Sequence, residues 1–375
     1  MPALHVGFYT ECYRPIVNGV VASIDALREG LVAAGIEVTT FAPRFPRFAD
    51  TAADIVRIPS LPLPTPTAYR LCVPYLAAAD RSRARRLDIA HAHSPFVTGW
   101  MAAAQARRLG IPLIFTYHTR LDAYAHYAPL ERGVTERAMD ELTRRFANAA
   151  DAVVVPTAAM ERHLRHLGVR STIAVVPSGI DVDRFAAGER RSDLRGELGG
   201  ADEGPLVLSV GRLAREKNLE LALEALTLLP EARLAVVGDG PHRAALEERV
   251  RRTGLAERVR FAGAFPREQL PDVYASADAL VFPSTSETQG LVLVEALAVG
   301  LPIVAVESDA SREVLAGAGR MASADAEAVA AGLRQAFAGG REQGAVHLAL
   351  SRYTVEMQTR RILELYRAVQ AARAA

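Results

Sequence analysis

The stretch ALVFPSTSETQGLVLVEALAVG, residues Ala279 to Gly300, predicts the fold of the second half of the chain. It begins with a four-residue apolar run, continues through a polar turn, and becomes periodically apolar from Leu291 onward. This order is typical of a buried strand, a loop and a helix in succession. Backbone N–H groups at a helix start attract phosphate, and Gly290 carries no side chain that would block the approach. The stretch therefore predicts a phosphate-binding turn.

Two carboxylates, Glu287 and Glu295, bracket this loop and the first turns of the predicted helix. Carboxylates accept hydrogen bonds from hydroxyl groups, whereas the helix start favours negative charge on the ligand. The combination indicates a ligand that contains both phosphate and sugar.

The composition limits the class of protein. The chain has 375 residues, of which 50% are hydrophobic and 23% charged, as in soluble globular proteins, and its length favours two domains. No apolar run reaches the ~18 residues of a membrane span, and the N-terminus lacks a signal-peptide pattern. We therefore expect a cytoplasmic protein. Two cysteines are too few for a disulfide framework or a zinc site.

The charges are unevenly distributed along the chain. Residues 1–180 contain 20 arginines and 15 acidic residues, whereas residues 181–375 contain 23 arginines, one lysine and 28 acidic residues. The densest basic cluster is RSRARR, residues Arg81 to Arg86. It fits either a solvated helix face or contact with an anionic membrane surface, and both interpretations stay open. No nucleic-acid partner is expected.

Apolar runs alternate with amphipathic segments along both halves, which predicts two Rossmann-like, doubly wound α/β domains facing a central ligand-binding cleft. The expected domains are residues 1–176 and residues 177–354, with a hinge near the PSGID turn at residues 177–181. A final amphipathic helix follows within residues 355–375. The proline-rich segment at residues 61–74 is expected to be an irregular loop.

Two cations follow the first predicted strand of the second half, in the segment GRLAREKN. They are Arg212 and Lys217, and Lys217 is the only lysine in the chain. Two cations near the helix start at Gly290 would bind a diphosphate and offset its charge as it leaves. Gly238, in the turn VVGDGP, is a second place where a backbone could approach a nucleotide closely.

The first half offers a histidine and a group of tyrosines. His118 follows an apolar strand in TYHTR, at the strand end where ligands bind, with Tyr117 before it and Tyr124 and Tyr127 on the next loop. The tyrosines are candidate acceptor contacts. The Asp181-Val182-Asp183 segment lies in the hinge turn and is interpreted as helix capping, so no metal site is predicted.

These motifs resemble a known family. NGV near the first helix, PSGID, GRL…EK and the E-x7-E pair at Glu287 and Glu295 are similar, in order and spacing, to glycosyltransferase family 4. The resemblance covers essentially the whole chain. It implies the GT-B fold, a C-terminal helix that crosses back to the N-terminal domain, and retaining, metal-independent transfer of a hexose from a nucleotide-diphosphate sugar without a cofactor. The N-terminal domain would bind the acceptor, and the C-terminal domain the nucleotide sugar.

The resemblance also implies roles for individual residues. Arg212 and Lys217 would hold the diphosphate, which the backbone of Gly19 would also meet. Glu287 would bind sugar hydroxyls, and Glu295 the ribose. His118 would lie beside the reacting centre. The backbone of three residues, Gln289, Gly290 and Leu291, would contact sugar and phosphate.

The choice of acceptor and sugar rests on finer details. Thr288 and Gln289 stand where the family commonly has an aromatic residue before the glycine, and Ser178 stands where it commonly has asparagine. The TQG variant, with the opening FYTECYRPIVNGVVASI and the loop YHTRLDAYAHY, looks most like the diacylglycerol glucosyltransferase branch. This similarity implies a lipid acceptor and a peripheral position at the inner face of the cell membrane. Lipid mannosyltransferases remain open, so the donor is UDP-glucose-like or GDP-mannose-like.

Other classes are weighed against this interpretation. A nicotinamide-dependent oxidoreductase would need GxGxxG and an acidic residue about 20 positions later, and neither half contains that set. A non-lipid glycosyltransferase, a non-catalytic nucleotide-sugar-binding module, and an epimerase or phosphorylase of the same fold stay open as alternatives.

Overall fold

The computed structural model describes residues 4–50, 52–63, 69–122, 131–200 and 204–374. The chain divides into two compact units. Unit 1 comprises Met1–Gly179 and Val355–Ala375, and unit 2 comprises Ile180–Thr354. The chain therefore leaves unit 1 after Gly179, builds all of unit 2, and returns to unit 1 in its last segment.

Unit 1 is built on a seven-stranded, all-parallel sheet with the strand order β3-β2-β1-β6-β7-β8-β9. Its strands are β1 (His5–Tyr9), β2 (Glu37–Pro43), β3 (Ile55–Ile58), β6 (Ile89–Ala92), β7 (Leu113–Thr116), β8 (Ala152–Val155) and β9 (Thr172–Val175), and a separate antiparallel pair is formed by β4 (Ser60–Pro62) and β5 (Arg70–Cys72). Its helices are α1 (Gly19–Ala33), α2 (Ala78–Ala84), α3 (Val97–Leu109), α4 (Arg132–Ala149) and α5 (Ala158–His166).

Unit 2 is built on a six-stranded parallel sheet with the order β12-β11-β10-β13-β14-β15. Its strands are β10 (Leu206–Val210), β11 (Arg233–Val237), β12 (Val259–Gly263), β13 (Ala279–Phe282), β14 (Ile303–Val306) and β15 (Arg320–Ala322). Its helices are α6 (Val182–Ala186), α7 (Ser192–Glu197), α8 (Leu219–Thr227), α9 (Arg243–Arg252), α10 (Leu270–Ala275), α11 (Leu291–Val299), α12 (Asp309–Leu315), α13 (Ala326–Gly339) and α14 (Gln343–Arg352), and Arg215–Lys217 forms one turn of 3-10 helix.

The strands β13 and β14 of unit 2 are continuous apolar runs because helices cover both faces of a parallel sheet. Successive residues of a strand point to opposite faces. Leu280 and Phe282 of β13 accordingly belong to one apolar cluster, and Val281 belongs to another. The two clusters form the cores above and below the sheet, which hold the strand ends in place.

The last helix, α15 (Val355–Ala374), packs against α1 and completes the core of unit 1. Its Ile362 and Tyr366 are fully buried in the same apolar cluster as Phe8 and Ile24. The predicted return of the C-terminal helix to the N-terminal domain is confirmed.

The segment at residues 61–74 corrects one prediction. It was expected to be irregular, but β4 and β5 form a short antiparallel pair in which Leu61 lies opposite Leu71. Proline is tolerated at the edge or end of a strand, where its missing N–H breaks no ladder bond, and Pro62 is the last residue of β4.

Candidate active site

The strand order of unit 2 creates a switch point between β10 and β13. The chain first runs outward from β10 through β11 to β12, then returns to the other side of β10 and continues through β13. In open α/β sheets, ligands bind outside the carboxyl ends of the strands at such a point. The loops that follow β10 and β13 contain Arg212, Lys217 and Glu287, so the structure brings these predicted site residues to one edge of the sheet.

Hydrogen bonds tie the two loops together. Ser284 and Ser286 each donate a hydroxyl hydrogen bond to the backbone carbonyl of Glu216, at 3.3 and 3.2 Å. The next residue, Lys217, forms an ion pair with Glu287, and each side chain is 21% exposed. The lysine and the first glutamate of the E-x7-E pair are therefore direct partners, a contact that the sequence spacing did not predict.

Helix α11 begins at this edge without a capping side chain. Its N-cap residue is Gly290, in the left-handed region at φ 80°, and a Cβ atom there would lie 3.0 Å from the Phe282 ring. The first turn contains no acidic residue, while Gln289, just before the cap, is buried. The first backbone N–H groups of a helix and its dipole favour an anion, so this start suits phosphate.

Glu295 lies on the second turn of α11. Its Oε2 accepts a hydrogen bond of 2.5 Å from the hydroxyl of Tyr274. Burial raises the pKa of the Glu295 carboxyl to about 7, although the Tyr274 hydrogen bond and the positive charge of Arg267 act in the opposite direction. A carboxyl group with this pKa exists in both protonation states near neutral pH.

The glycines at the strand ends allow close backbone packing. A Cβ atom on Gly238 would lie 2.0 Å from the carbonyl oxygen of Gly211, and the φ of Gly238 is 126°. The N–H of Gly211 in turn donates to the carbonyl of Val237 at 2.9 Å. Gly238 thus holds the end of β11 against the end of β10, directly before the partly exposed Arg212. Its contact with a nucleotide stays a prediction.

Unit 1 places a histidine cluster at the ends of β6 and β7. His93 Nδ1 and His118 Nε2 are 2.9 Å apart, and the rings of His91 and His93 stack with centroids at 4.4 Å. Burial lowers the pKa of His91 to about 3 and that of His118 to about 4, and it holds the pKa of His93 well below its ordinary value. All three rings are therefore neutral at physiological pH.

This cluster could have been inferred from spacing. Residues two positions apart on a strand share a face, so His91 and His93 had to lie together, and His118 follows the neighbouring strand. His91 is tied further into unit 1, since its Nδ1 lies 2.6 Å from the Tyr366 hydroxyl and its Nε2 2.6 Å from Thr116 Oγ1.

The start of α1 contains the predicted Gly19. The preceding Asn18 caps the helix, because its side-chain oxygen accepts from the N–H of Val21 at 3.0 Å. Its amide nitrogen donates to the Tyr69 hydroxyl at 3.3 Å and contacts Cys12 Sγ at 3.1 Å. Gly19 is the first residue of α1, so its backbone belongs to a helix start, as expected.

Tyr117 occupies a different place from the one expected of an acceptor contact. It is 2% exposed and lies in the apolar core of unit 1, near the rings of Phe115 and His163. This position fits a packing role. Tyr124 and Tyr127 lie outside the described residues.

The Asp181-x-Asp183 segment caps a helix, as predicted. Asp181 is the N-cap of α6 and accepts from the N–H of Arg184 at 3.1 Å. Among the described residues, no group of three His, Cys, Asp or Glu side chains is placed to hold a metal ion. Within the same residues, no helix combines the length and apolar content needed to cross a bilayer.

Comparisons with known proteins agree with this architecture. Residues 17–184 match the family model Glycosyltransferase Family 4, and residues 190–345 match Glycosyl transferases group 1. Alpha-monoglucosyldiacylglycerol synthase of Streptococcus pneumoniae is 32% identical over 317 residues, which cover 80% of this chain and 71% of the relative. A GDP-mannose-dependent alpha-mannosyltransferase of Mycobacterium tuberculosis is 32% identical over 321 residues, which cover 84% and 82%.

The fold has a close structural match. Sucrose-phosphate synthase from Thermosynechococcus elongatus superposes with a TM-score of 0.82 at 22% identity, over 98% of this chain and 100% of that structure. At this identity the match concerns the fold alone. Together with the two family matches and the relatives at 32% identity, it shows that the chain is a glycosyltransferase of family 4 with the GT-B fold.

Proposed function

We propose that the protein transfers a hexose, with retention of anomeric configuration, from a nucleotide-diphosphate sugar to a hydroxyl group of a membrane lipid. The observation that carries the proposal is the Lys217–Glu287 pair beside the uncapped start of α11. It combines a cation for phosphate, a carboxylate for sugar hydroxyls and a helix start for anions within one loop cluster. A nucleotide-diphosphate sugar contains all the groups that these features attract.

The donor contacts proposed in unit 2 follow from this arrangement. Arg212 and Lys217 bind the diphosphate, and Glu287 binds hydroxyl groups of the hexose. The backbone N–H groups around Gly290 complete the phosphate site, and Glu295 takes the ribose hydroxyls. Gly19 and His118 of unit 1 are proposed to contribute to the diphosphate site and to the reacting centre, as the family resemblance implies.

The chemistry needs no protein nucleophile. The bond between the anomeric carbon and the diphosphate oxygen breaks, and the acceptor oxygen bonds to the same face of that carbon. The acceptor proton passes to the departing phosphate. Lys217 and Arg212 stabilise the negative charge that develops on the diphosphate, which is the role that a metal ion has in other transferases. We therefore propose metal-independent transfer.

A lipid acceptor is supported by the outer surface of unit 1. The facing residues Leu61 and Leu71 of the β4–β5 pair are 59% and 47% exposed, and Tyr75, which follows, is 55% exposed. Four exposed arginines follow in the sequence: Arg81 and Arg83 lie on α2, and Arg85 and Arg86 come directly after it. Exposed apolar side chains that are followed along the chain by arginines fit the interface of an anionic membrane.

The names of these two relatives point to different donor sugars. The Streptococcus protein is named for an α-glucoside of diacylglycerol and the Mycobacterium protein for GDP-mannose. UDP-glucose contains an α-linked glucose, so an α-glucoside product would mean retention. We propose UDP-glucose with diacylglycerol as the first pair to test. Transfer to a soluble acceptor, and binding without turnover, are the alternatives.

The test is a matrix of UDP-glucose and GDP-mannose against diacylglycerol in phosphatidylglycerol vesicles and against soluble sugars and polyols. Mass spectrometry identifies the product, and proton NMR identifies its anomer. We expect an α-glycolipid whose formation survives EDTA. Products only from soluble acceptors would refute the lipid assignment, a β-product would refute retention, and hydrolysis or binding alone would refute transfer.

A further inference from the structure

Glu295, the carboxylate proposed above to bind the ribose, accepts a hydrogen bond from a tyrosine that belongs to none of the sequence motifs. Tyr274 lies on α10, which packs against α11, and its hydroxyl donates to Glu295 Oε2 at 2.5 Å. Hydrogen bonds to a carboxylate are short and about twice as strong as those between neutral groups. The position of the carboxylate therefore depends on the position of this hydroxyl.

The tyrosine itself is immobilised by packing. Its side chain is 0% exposed, and its ring meets Phe185 edge to face at a centroid distance of 5.9 Å. The helix that carries it is held by Asp272, whose carboxylate accepts from the backbone N–H of Glu189 at 3.0 Å. A buried ring on a fixed helix can present its hydroxyl in one direction only.

Because of this contact, the two carboxylate oxygens of Glu295 have different surroundings. Oε2 is engaged by Tyr274, while Oε1 accepts no hydrogen bond within the described parts of the chain, and the side chain is partly exposed. Oε1 is thus the oxygen available to hydroxyl groups of a ligand. Without Tyr274, the carboxylate would lose its anchor in a site where burial already opposes its ionised form.

We propose that Tyr274 is a positioning residue for nucleotide recognition, because it fixes the Glu295 carboxylate so that the free oxygen meets the ribose diol of the donor. The inference rests on the proposed ribose role of Glu295 and extends it to a residue that does not touch the ligand. The chemical class recognised is a nucleoside diphosphate with free ribose hydroxyls.

Tyr274→Phe tests the proposal, because it keeps the ring and removes only the hydroxyl. We expect the Kd of UDP, measured by calorimetry, to rise about ten-fold. This is the effect of losing one hydrogen bond between a ribose hydroxyl and the Glu295 carboxylate, which is no longer held in position. Turnover at saturating donor should change less than about two-fold, because the reacting centre is unaltered.

The pH dependence of UDP binding gives a second readout. Ribose hydroxyls donate to ionised Glu295, so affinity should fall as pH drops through about 7. The charged and titratable groups whose fields reach this carboxyl are Tyr274 of α10 and Arg267, which precedes that helix. Loss of the tyrosine hydroxyl raises the pKa of Glu295, so the midpoint should move to higher pH. UDP itself titrates, and the comparison is therefore between variant and parent.

Tyr353→Phe is the matched control. Tyr353 is a buried tyrosine of the same unit, 4% exposed, whose hydroxyl donates to the carbonyl of Val314 at 2.9 Å. This variant should lose stability without a change in UDP affinity or in the pH midpoint. If Tyr274→Phe behaves in the same way, Tyr274 is merely structural and the proposal is overturned.

Glu295→Gln separates this inference from the function on which it rests. Weaker UDP binding in Glu295→Gln, with no further loss when Tyr274→Phe is added, supports the pairing of the two residues. Weaker binding in Glu295→Gln but unchanged binding in Tyr274→Phe refutes the positioning role alone. Unchanged binding in both variants refutes the ribose role of Glu295 and this inference with it.

Discussion

The helix that follows the fourth strand of each sheet begins differently in the two units. In unit 1 this helix is α3, and its first turn is occupied by Glu11, which accepts from the N–H and the hydroxyl of Thr98 at 2.5 and 2.6 Å. In unit 2 the helix is α11, which begins at Gly290 with no capping side chain. The same topology thus contains a carboxyl group supplied by the protein in one unit and an open start in the other.

The difference extends to the neighbouring side chains. Unit 1 lines its strand ends with neutral, buried histidines, whereas unit 2 exposes an ion pair and a carboxyl group that titrates near neutrality. A doubly wound sheet provides a place for a ligand, and the side chains decide whether that place is filled internally or left for a phosphate. The following experiments challenge this contrast.

Of these experiments, acidification should produce the largest difference in stability between the two units. The folded-state pKa values of His91 and His93 lie below the ordinary value of 6.5, so the unfolded chain binds protons first and unit 1 loses stability as pH falls below about 6.5. At pH 5 the loss is about 2 kcal/mol each for His91 and His118, whose folded-state pKa values are about 3 and about 4, and His93 acts in the same direction. Trp100 on α3, the only tryptophan, reports this in urea titrations of unit 1.

Unit 2 should respond with the opposite sign. The folded-state pKa of Glu295 is raised to about 7, so between the unfolded value of 4.5 and pH 7 the folded state binds the extra proton. Acidification from pH 7 to 5 therefore stabilises this site. Hydrogen exchange in β10 and β13, corrected for intrinsic rates, measures the effect. An equal loss of stability in both units would contradict the contrast.

Lys217→Ala should lower turnover about 10²-fold, a loss of about 3 kcal/mol in transition-state stabilisation, because it removes the charge proposed to stabilise the departing diphosphate. Arg215→Ala is the matched control, since Arg215 is exposed and begins the same 3-10 turn. Steady-state assays of both variants, together with their melting temperatures, provide the measurement. Equal activities in the two variants would show that Lys217 has no special role.

Glu11→Ala should convert the occupied helix start of unit 1 into an open one. It leaves the N–H and hydroxyl of Thr98 without their partner, at a cost of about 2 kcal/mol in the free energy of unfolding. Added sulfate should recover part of that loss, because the vacated helix start attracts an anion. The exposed Glu29 of α1 provides the control variant Glu29→Ala. Loss without sulfate recovery would show that unit 1 cannot form such a site.

Much of the fold was predictable because parallel strands covered on both faces are continuous apolar runs. The four-residue apolar run that begins at Ala279 is β13, and the helix predicted from Leu291 onward is α11, which begins at that residue. No continuous apolar run marks the edge strands β3 and β15, since IVRI and RMA are short and mixed in polarity. The β4–β5 pair was missed because its prolines indicated irregular structure.

In the candidate site, too, some features could be predicted from the sequence and others could not. Lys217 and Glu287 were predictable as neighbours in space, because both follow strands that flank the switch point. Their direct pairing was not, nor were the supporting contacts. Tyr274 reaches Glu295 across 21 positions and Glu11 reaches Thr98 across 87, distances over which local sequence patterns contain no information about contact. The residues proposed to bind the ligand belong to sequence motifs, whereas the residues that contact and support them do not.

The return of the chain to unit 1 affects the order in which a newly made polypeptide can fold. During synthesis, residues 180–354 emerge from the ribosome before α15 does, so unit 2 has its entire sequence while unit 1 still lacks Ile362 and Tyr366. The region translated first is therefore the last to complete its core. Until then, the nascent chain exposes the apolar side chains of α1 that α15 later covers. His91 also lacks its hydrogen-bond partner, because Tyr366 lies on α15.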